Sequence, residues 1–219
     1  MIKIPPMTFT LALTRERTPF RRNVFFWFFV TLFVLVWANS LFGTTDIHNW
    51  LLENTLVFIF LAVLILCGRK YVFSDLSYVL IFLFFCVHVY GSKYTYAENP
   101  LGFWIRDTFH MARNPYDRIV HFMFGFLLAY PLREVFLKWL KYPDWVAWWL
   151  PVEIVLSFGT LYELMEWAVA DIFFKAQGAA YLGTQGDEWD AQKDIFVAIV
   201  GALLAVGILF CLKRWSREL

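Results

Sequence analysis

Six long apolar runs separated by polar breaks set the first expectation, helical spans at roughly 24–42, 50–67, 73–91, 118–137, 145–167 and 194–212. Each is close to the roughly 20 residues that a helix needs to cross a bilayer core. The pattern predicts an all-α fold: a polytopic membrane protein, a six-transmembrane-helix bundle with two longer outer-face loops at about 92–117 and 168–193. These loops are rich in Gly, Tyr, Asn, Gln and Asp, and long connections on a rigid scaffold are where binding groups concentrate.

Composition agrees, since 60% hydrophobic, 21% aromatic and 17% charged residues over 219 positions exceed what a soluble domain carries. A net charge of +1 with no dense basic tract argues against a nucleic-acid partner and leaves membrane lipids as the expected surroundings. The basic residues instead report topology. Arg15, Arg17, Arg21 and Arg22 precede the first run, Arg69 and Lys70 follow the second, Arg133, Lys138 and Lys141 follow the fourth, and Lys213, Arg214 and Arg217 follow the sixth. The positive-inside rule makes that side cytoplasmic and puts both termini there.

No period of 20–50 residues recurs, so one domain is expected. It divides into a cytoplasmic arm at 1–23, the transmembrane domain at 24–212 and a cytoplasmic tail at 213–219. The arm carries Pro5, Pro6 and Pro19 without helical period. Arg21-Arg22 before an apolar run and Ala38-Asn39-Ser40 after it imitate a signal peptide loosely, but the run reads as a retained span. Cys67, Cys86 and Cys211 all fall inside apolar runs with no CxxC spacing, which makes them buried small apolar residues.

Ionisable residues cluster at the outer ends of four spans: His88, Asp117 with His121, Glu163 with Glu166, and Asp187, Asp190 and Asp194. Alternating spans bring them to one depth, and residues three or four apart share a helix face. Charge at such a boundary is costly, which makes the convergence a candidate site. Below Asp194 the same face continues through Ala198, Gly201 and Ala205, a stripe that admits a close helix neighbour within the chain or in a homo-oligomer through span six.

Imidazole and carboxylate together suit a metal, and the expected ligand set is His88, His121, Glu163 and Asp194, with Asp117, Glu166 and Asp190 beside it. The sequence does not name the cofactor; a divalent metal ion is the candidate, and no HExxH or ExxH motif forces it. As an enzyme, the site would use Glu163 or Asp190 as general base, His121 as acid or ligand, and Glu166 beside them. The competing reading is that the groups only pair: Arg118 with Asp117 or Glu166, His121 with a carboxylate, and Asp187 as a helix cap.

The loop at 92–117 interleaves Lys93, Arg106, His110, Arg113 and Arg118 with Tyr94, Tyr96, Phe103, Trp104, Phe109 and Tyr116. Arg106, Arg113 and Arg118 are thereby candidates to hold the anionic head group of a lipid or lipid-linked substrate. The same residues equally make an interfacial aromatic belt. His48 and His110 are expected to be solvated loop histidines. Glu153, beyond Pro151 on a stripe with Ser157 and Thr160, could begin a proton or ion path to Glu163, which is the basis of a transporter reading. A third reading makes the charges a lock in a structural subunit. Residues 183–194 form the most chemical stretch, with Gly183 and Gly186 permitting a tight turn and a spacing that does not fit an EF-hand.

The residues Tyr116-Asp117-Arg118-Ile119-Val120-His121-Phe122, Glu163-Leu164-Met165-Glu166 and Gly186-Asp187-Glu188-Trp189-Asp190, with Asp194 and Gly201, resemble the YjdF-like family of bacterial inner-membrane proteins. More distantly they resemble the VanZ-like membrane proteins associated with glycopeptide resistance. The likeness covers roughly residues 50–212. The VanZ-like pattern has Lys where Arg118 stands, Gln where Glu166 stands and Asn where Ala198 stands. The resemblance implies a bacterial inner-membrane location and names no reaction.

Overall fold

The computed structural model describes residues 22–68, 71–173 and 184–218. Among them the chain is helical throughout: α1 (Val24–Leu41), α2 (Ile47–Gly68), α3 (Asp75–Ser92), α4 (Pro100–Phe109), α5 (Tyr116–Glu134), α6 (Asp144–Trp167) and α7 (Asp190–Glu218). Wider π-helical turns extend α5 through Val135–Trp139 and α6 through Ala168–Phe173. All but α4 are long and apolar enough to cross a membrane, so the chain is a membrane protein with six candidate spans among the described residues. Residues 1–21, Arg69, Lys70 and Gly183 lie outside the described residues. The segment expected as a tail continues α7 as far as Glu218.

The expected stripe on the last helix meets α5, and these two helices form the closest pair in the bundle. Lipid offers no hydrophobic drive between helices, so close backbone approach is what holds them. A methyl group on Gly125 would overlap the Ala198 carbonyl oxygen, and one on Gly201 would overlap the Phe122 carbonyl oxygen. Ala198, Ala202 and Ala205 are buried there with Ala129 and Val155. The chain's own α5 therefore covers the stripe, the first of the two neighbours expected for it.

On the other side of α5, aromatic residues fill the gaps: Phe84 and Phe85 of α3 pack with Phe33, Val57, Tyr96, Tyr116, Val120 and Leu127. The outermost helix, α1, turns most of its surface outward. Cys86 is half-buried and Cys211 is exposed, so the expectation of uniformly buried cysteines fails at Cys211; the Cys67 side chain lies outside the described residues.

The two ends of the bundle differ in charge. At the basic end the Arg133 guanidinium donates to Asp144 at 2.7 Å, and Lys213 donates to the same carboxylate at 2.7 Å. Glu134 is buried here and accepts from the Ser74 backbone N–H (2.9 Å), the Ser74 hydroxyl (2.7 Å), the Tyr71 hydroxyl (3.1 Å) and the Ser77 hydroxyl. Ser74 also caps α3 by accepting from the Ser77 N–H.

Helix α4, at the opposite end, interrupts what the apolar pattern left as loop. Asn99 accepts from the Leu101 and Gly102 N–H groups, Pro100 opens the helix with its φ already set, and His110 ends it in the left-handed region at φ 52°. Asn-Pro was the available signal. Gly102 is pressed against the Asn114 side chain, which leaves no room for a Cβ.

Candidate functional site at the acidic end

The starts of α5 and α7 and the end of α6 meet at this end, as alternation of the spans requires. Asp117 and His121 stand one turn apart on α5, Glu163 on α6, and Asp190 and Asp194 one turn apart on α7. His121 Nε2 lies 3.2 Å from Glu163 Oε1 and 3.7 Å from Asp117 Oδ1. One carboxylate oxygen from each of Asp117, Asp190 and Asp194 lies within 4.8 Å of the other two. Such an arrangement can hold a cation among hard oxygen ligands.

This trio shares only Asp194 with the ligand set read from the sequence. His121 and Glu163 stand beside it as a pair. His88 is turned elsewhere: its Nε2 meets the Glu53 backbone carbonyl at 3.2 Å and its Nδ1 meets the Tyr96 hydroxyl at 2.6 Å. A carbonyl can only accept, so Nε2 carries the proton and Nδ1 accepts from Tyr96. Burial pushes the Tyr96 phenol well above its ordinary value, which keeps that donor protonated. With both nitrogens engaged, His88 ties α3 to α2 and stands apart from the carboxylate trio, unlike the ligand set expected from the sequence.

Arg113 and Arg118 are inside the site but are held by carboxylates. Arg113 pairs with Asp190 and donates to the Thr184 carbonyl at 3.2 Å. Arg118 pairs with Asp187 at 2.5 Å and stands 3.4 Å from Asp190. The competing reading had foreseen pairing but with Asp117 or Glu166 as partners. Arg106 pairs with its neighbour Asp107 at 2.7 Å on the surface of α4, its guanidinium over the Phe103 ring.

Asp187 does not cap α7 in the ordinary way. Its Oδ1 accepts from the Trp189 N–H at 3.1 Å, and its carboxylate also takes Lys193 at 2.7 Å. Hydrogen bonds from Lys193, the Trp189 N–H and Arg118 hold this carboxyl below the usual carboxylate range. Above it a reciprocal clasp closes the loop: the Asn114 N–H donates to Gln185 Oε1 (2.9 Å) and Gln185 Nε2 donates to the Asn114 carbonyl (3.1 Å).

Some polar atoms in the site have no partner. Asp194 is 2% exposed, its Oδ1 is buried without a hydrogen bond, and the nearest guanidinium nitrogen, Arg118 Nε, is 3.9 Å away. Arg113 Nε and Nη2 are likewise buried and unpaired. An unmet oxygen in a buried site costs on the order of 1–3 kcal/mol unless a ligand meets it.

Two further residues escaped the sequence reading. Glu53, 4% exposed on α2, accepts from the Tyr162 hydroxyl at 2.7 Å, and Tyr162, which also reaches Glu166, lies against the His121 ring at 6.0 Å between centroids. A carboxylate inside an apolar run was the signal for Glu53. Glu153, in contrast, is exposed on the outer surface of α6, which gives no support to a polar path leading from it to Glu163.

A family model for predicted membrane proteins, DUF2238, matches residues 11–215. The chain is 39% identical over 177 residues to the inner membrane protein YjdF of Escherichia coli (strain K12), covering 80% of this chain and 82% of that protein. No solved structure gives a significant match. These matches bear on the first of the two resemblances and leave the VanZ-like one as an expectation.

Proposed function

The chain belongs to the DUF2238 family of predicted membrane proteins, and from that premise we propose that it binds a divalent cation at its acidic end and uses it on an anionic lipid or lipid-linked head group. The observation that carries this reading is the trio Asp117, Asp190 and Asp194 within 4.8 Å, with Asp194 Oδ1 left without a hydrogen bond. Around it the carboxyls of Asp117, Glu163, Glu166, Asp187, Asp190 and Asp194 outnumber Arg113, Arg118 and Lys193, and a bound cation would favour their ionised forms. An all-oxygen trio favours magnesium or manganese over zinc.

The remaining groups fit roles around the ion. Glu163, met by His121 Nε2 at 3.2 Å, would serve as the base toward a water on the cation with His121 as its acid partner, and the cation would attract phosphate oxygens. Arg113, with two unpaired nitrogens, is the guanidinium best suited to a phosphate oxygen. The positive-inside rule places the basic end in the cytoplasm and the site at the periplasmic face of a bacterial inner membrane, with both termini cytoplasmic.

The Arg113–Asp190 and Arg118–Asp187 pairs favour a second reading, in which the cluster only locks helices. Manganese titration of chelator-treated protein in nanodiscs, followed by electron paramagnetic resonance, separates the two. Cation binding by the wild type that Asp194→Asn weakens at least about ten-fold supports the site. No uptake by the wild type overturns it and leaves the lock. Retention of a dansyl-labelled phosphatidylglycerol only when manganese is present would support the head-group role, and retention indifferent to the ion would remove it.

A further inference from the structure

One guanidinium at the acidic end keeps its recognition edge unspent. In an arginine the Nε–H and an Nη2–H point the same way from one side of the planar group, and this edge takes two oxygens of one oxyanion at once. Arg106 has this edge in use, its Nε and Nη2 both reaching Asp107 Oδ1, at 2.8 and 2.7 Å. At Arg118 the edge is half spent, since Nη2 pairs with Asp187 and Nε alone is left. Asp144 half spends the Arg133 edge in the same way.

Arg113 differs from all three. Its Nη1 carries the contacts with Asp190, Asp187 and the Thr184 carbonyl. Its Nε and Nη2 are both buried without a hydrogen bond, on a side chain only 9% exposed. Two N–H groups cut off from water with nothing to donate to are costly, and a single oxyanion answers both. The group is also held in place, because Thr184 adjoins Gln185, whose amide clasps the backbone of Asn114. A fork fixed before its ligand arrives loses little freedom on binding.

We propose that the site takes a terminal phosphoryl group, a phosphate monoester in preference to the phosphodiester of an ordinary phospholipid. This rests on the cation reading above. The Arg113 edge takes two phosphate oxygens, and a cation on Asp117, Asp190 and Asp194 takes a third. A diester has only two oxygens free of ester bonds, whereas a monoester has three. Because Arg113 and the carboxylate trio share Asp190, both demands fall on one phosphorus. Phe109 and Met111 before Arg113, and Trp189 before Asp190, are exposed apolar side chains, beside which the chain of a lipid-borne phosphoryl group can lie.

The test is native mass spectrometry of the full chain in detergent, stripped with chelator and reloaded with manganese. It is titrated with phosphatidic acid, a monoester, or with phosphatidylglycerol, a diester, of matched acyl chains. Wild type should retain phosphatidic acid about ten-fold more tightly. Arg113→Lys keeps the positive charge and loses the planar fork, so it should erase most of that preference, whereas a preference due to charge alone would survive it. Arg113→Gln should also lose the preference while taking up manganese more tightly, a gain that damage to folding does not produce. Equal retention of the two lipids by wild type, or a preference unchanged in Arg113→Lys, overturns the proposal. Manganese uptake read by electron paramagnetic resonance in the same samples separates the two readings: uptake without lipid preference overturns this inference alone, and no uptake overturns the cation site beneath it. Glycerol phosphate supplies the monoester without chains. Its displacement of phosphatidic acid at millimolar concentration supports recognition of the phosphoryl group from a soluble source as well, and failure to displace supports a lipid-borne one.

Discussion

Glu134 and Asp194 are carboxylates buried to the same degree near opposite ends of the bundle, each 2% exposed, and their surroundings differ completely. Around Glu134 hydroxyls and a backbone N–H converge from residues 71–77, so its oxygens are met by the chain itself. Around Asp194 stand other carboxylates, and its Oδ1 accepts no hydrogen bond, with Arg118 Nε 3.9 Å away. Burial alone therefore says little about a carboxylate's task. What distinguishes structure from site is whether the fold has supplied the partners.

The largest effect is expected at the satisfied end. Glu134→Ala strands several donors at once and should lower stability by about 3 kcal/mol in unfolding measured in detergent, with manganese uptake unchanged. A loss of uptake with stability intact would invert the comparison. Asp194→Asn should do the opposite, weakening manganese by about ten-fold, close to 1.4 kcal/mol, with the unfolding midpoint unchanged or raised, because it removes one of several like charges.

His88 sharpens the contrast, since the sequence grouped it with Asp194 and its neighbours do not. His88→Gln should cost about 1 kcal/mol of stability by disturbing the Tyr96 and Glu53 contacts and leave manganese affinity within roughly two-fold. A smaller effect is expected from Arg113→Gln. The Arg113 guanidinium competes with an ion for Asp190, so its removal should tighten manganese by roughly three-fold in the same titration.

The smallest effect concerns Asp187. A carboxyl held below its ordinary value in the folded chain contributes stability that is present above its unfolded value, near pH 4, and is lost as pH falls toward the folded value. A spin label at position 188 should report an unchanged loop from about pH 8 to pH 5 and increasing mobility only below about pH 4. Loosening that begins near neutral pH would show that the Lys193 and Arg118 contacts do not hold the loop.

The hydrophobic pattern carried the six spans to within a few residues and brought Asp117, His121, Glu163 and Asp194 to one end, because helical period and alternation of direction are properties of the chain alone. It could not say which neighbour each group would meet. His88 and Asp194 share a depth, yet one is turned toward a backbone carbonyl on α2 and the other toward α5, and helix rotation is settled only by packing. Glu53 was missed because its partner, Tyr162, is 109 residues away in sequence. Helix α4 was missed because ten residues with a narrow apolar face do not resemble a span.

Two hydrogen atoms govern the sharpness of the acidic tip. Gly125 and Gly201 carry them where any other residue would carry a carbon, and each sits against a carbonyl of the facing helix. Two rods locked by such notches cannot slide past one another along the membrane normal. The vertical offset between His121 and Asp194 is accordingly fixed about one turn below His121 and two turns below Asp194, and with it the spacing of the carboxyls at the tip.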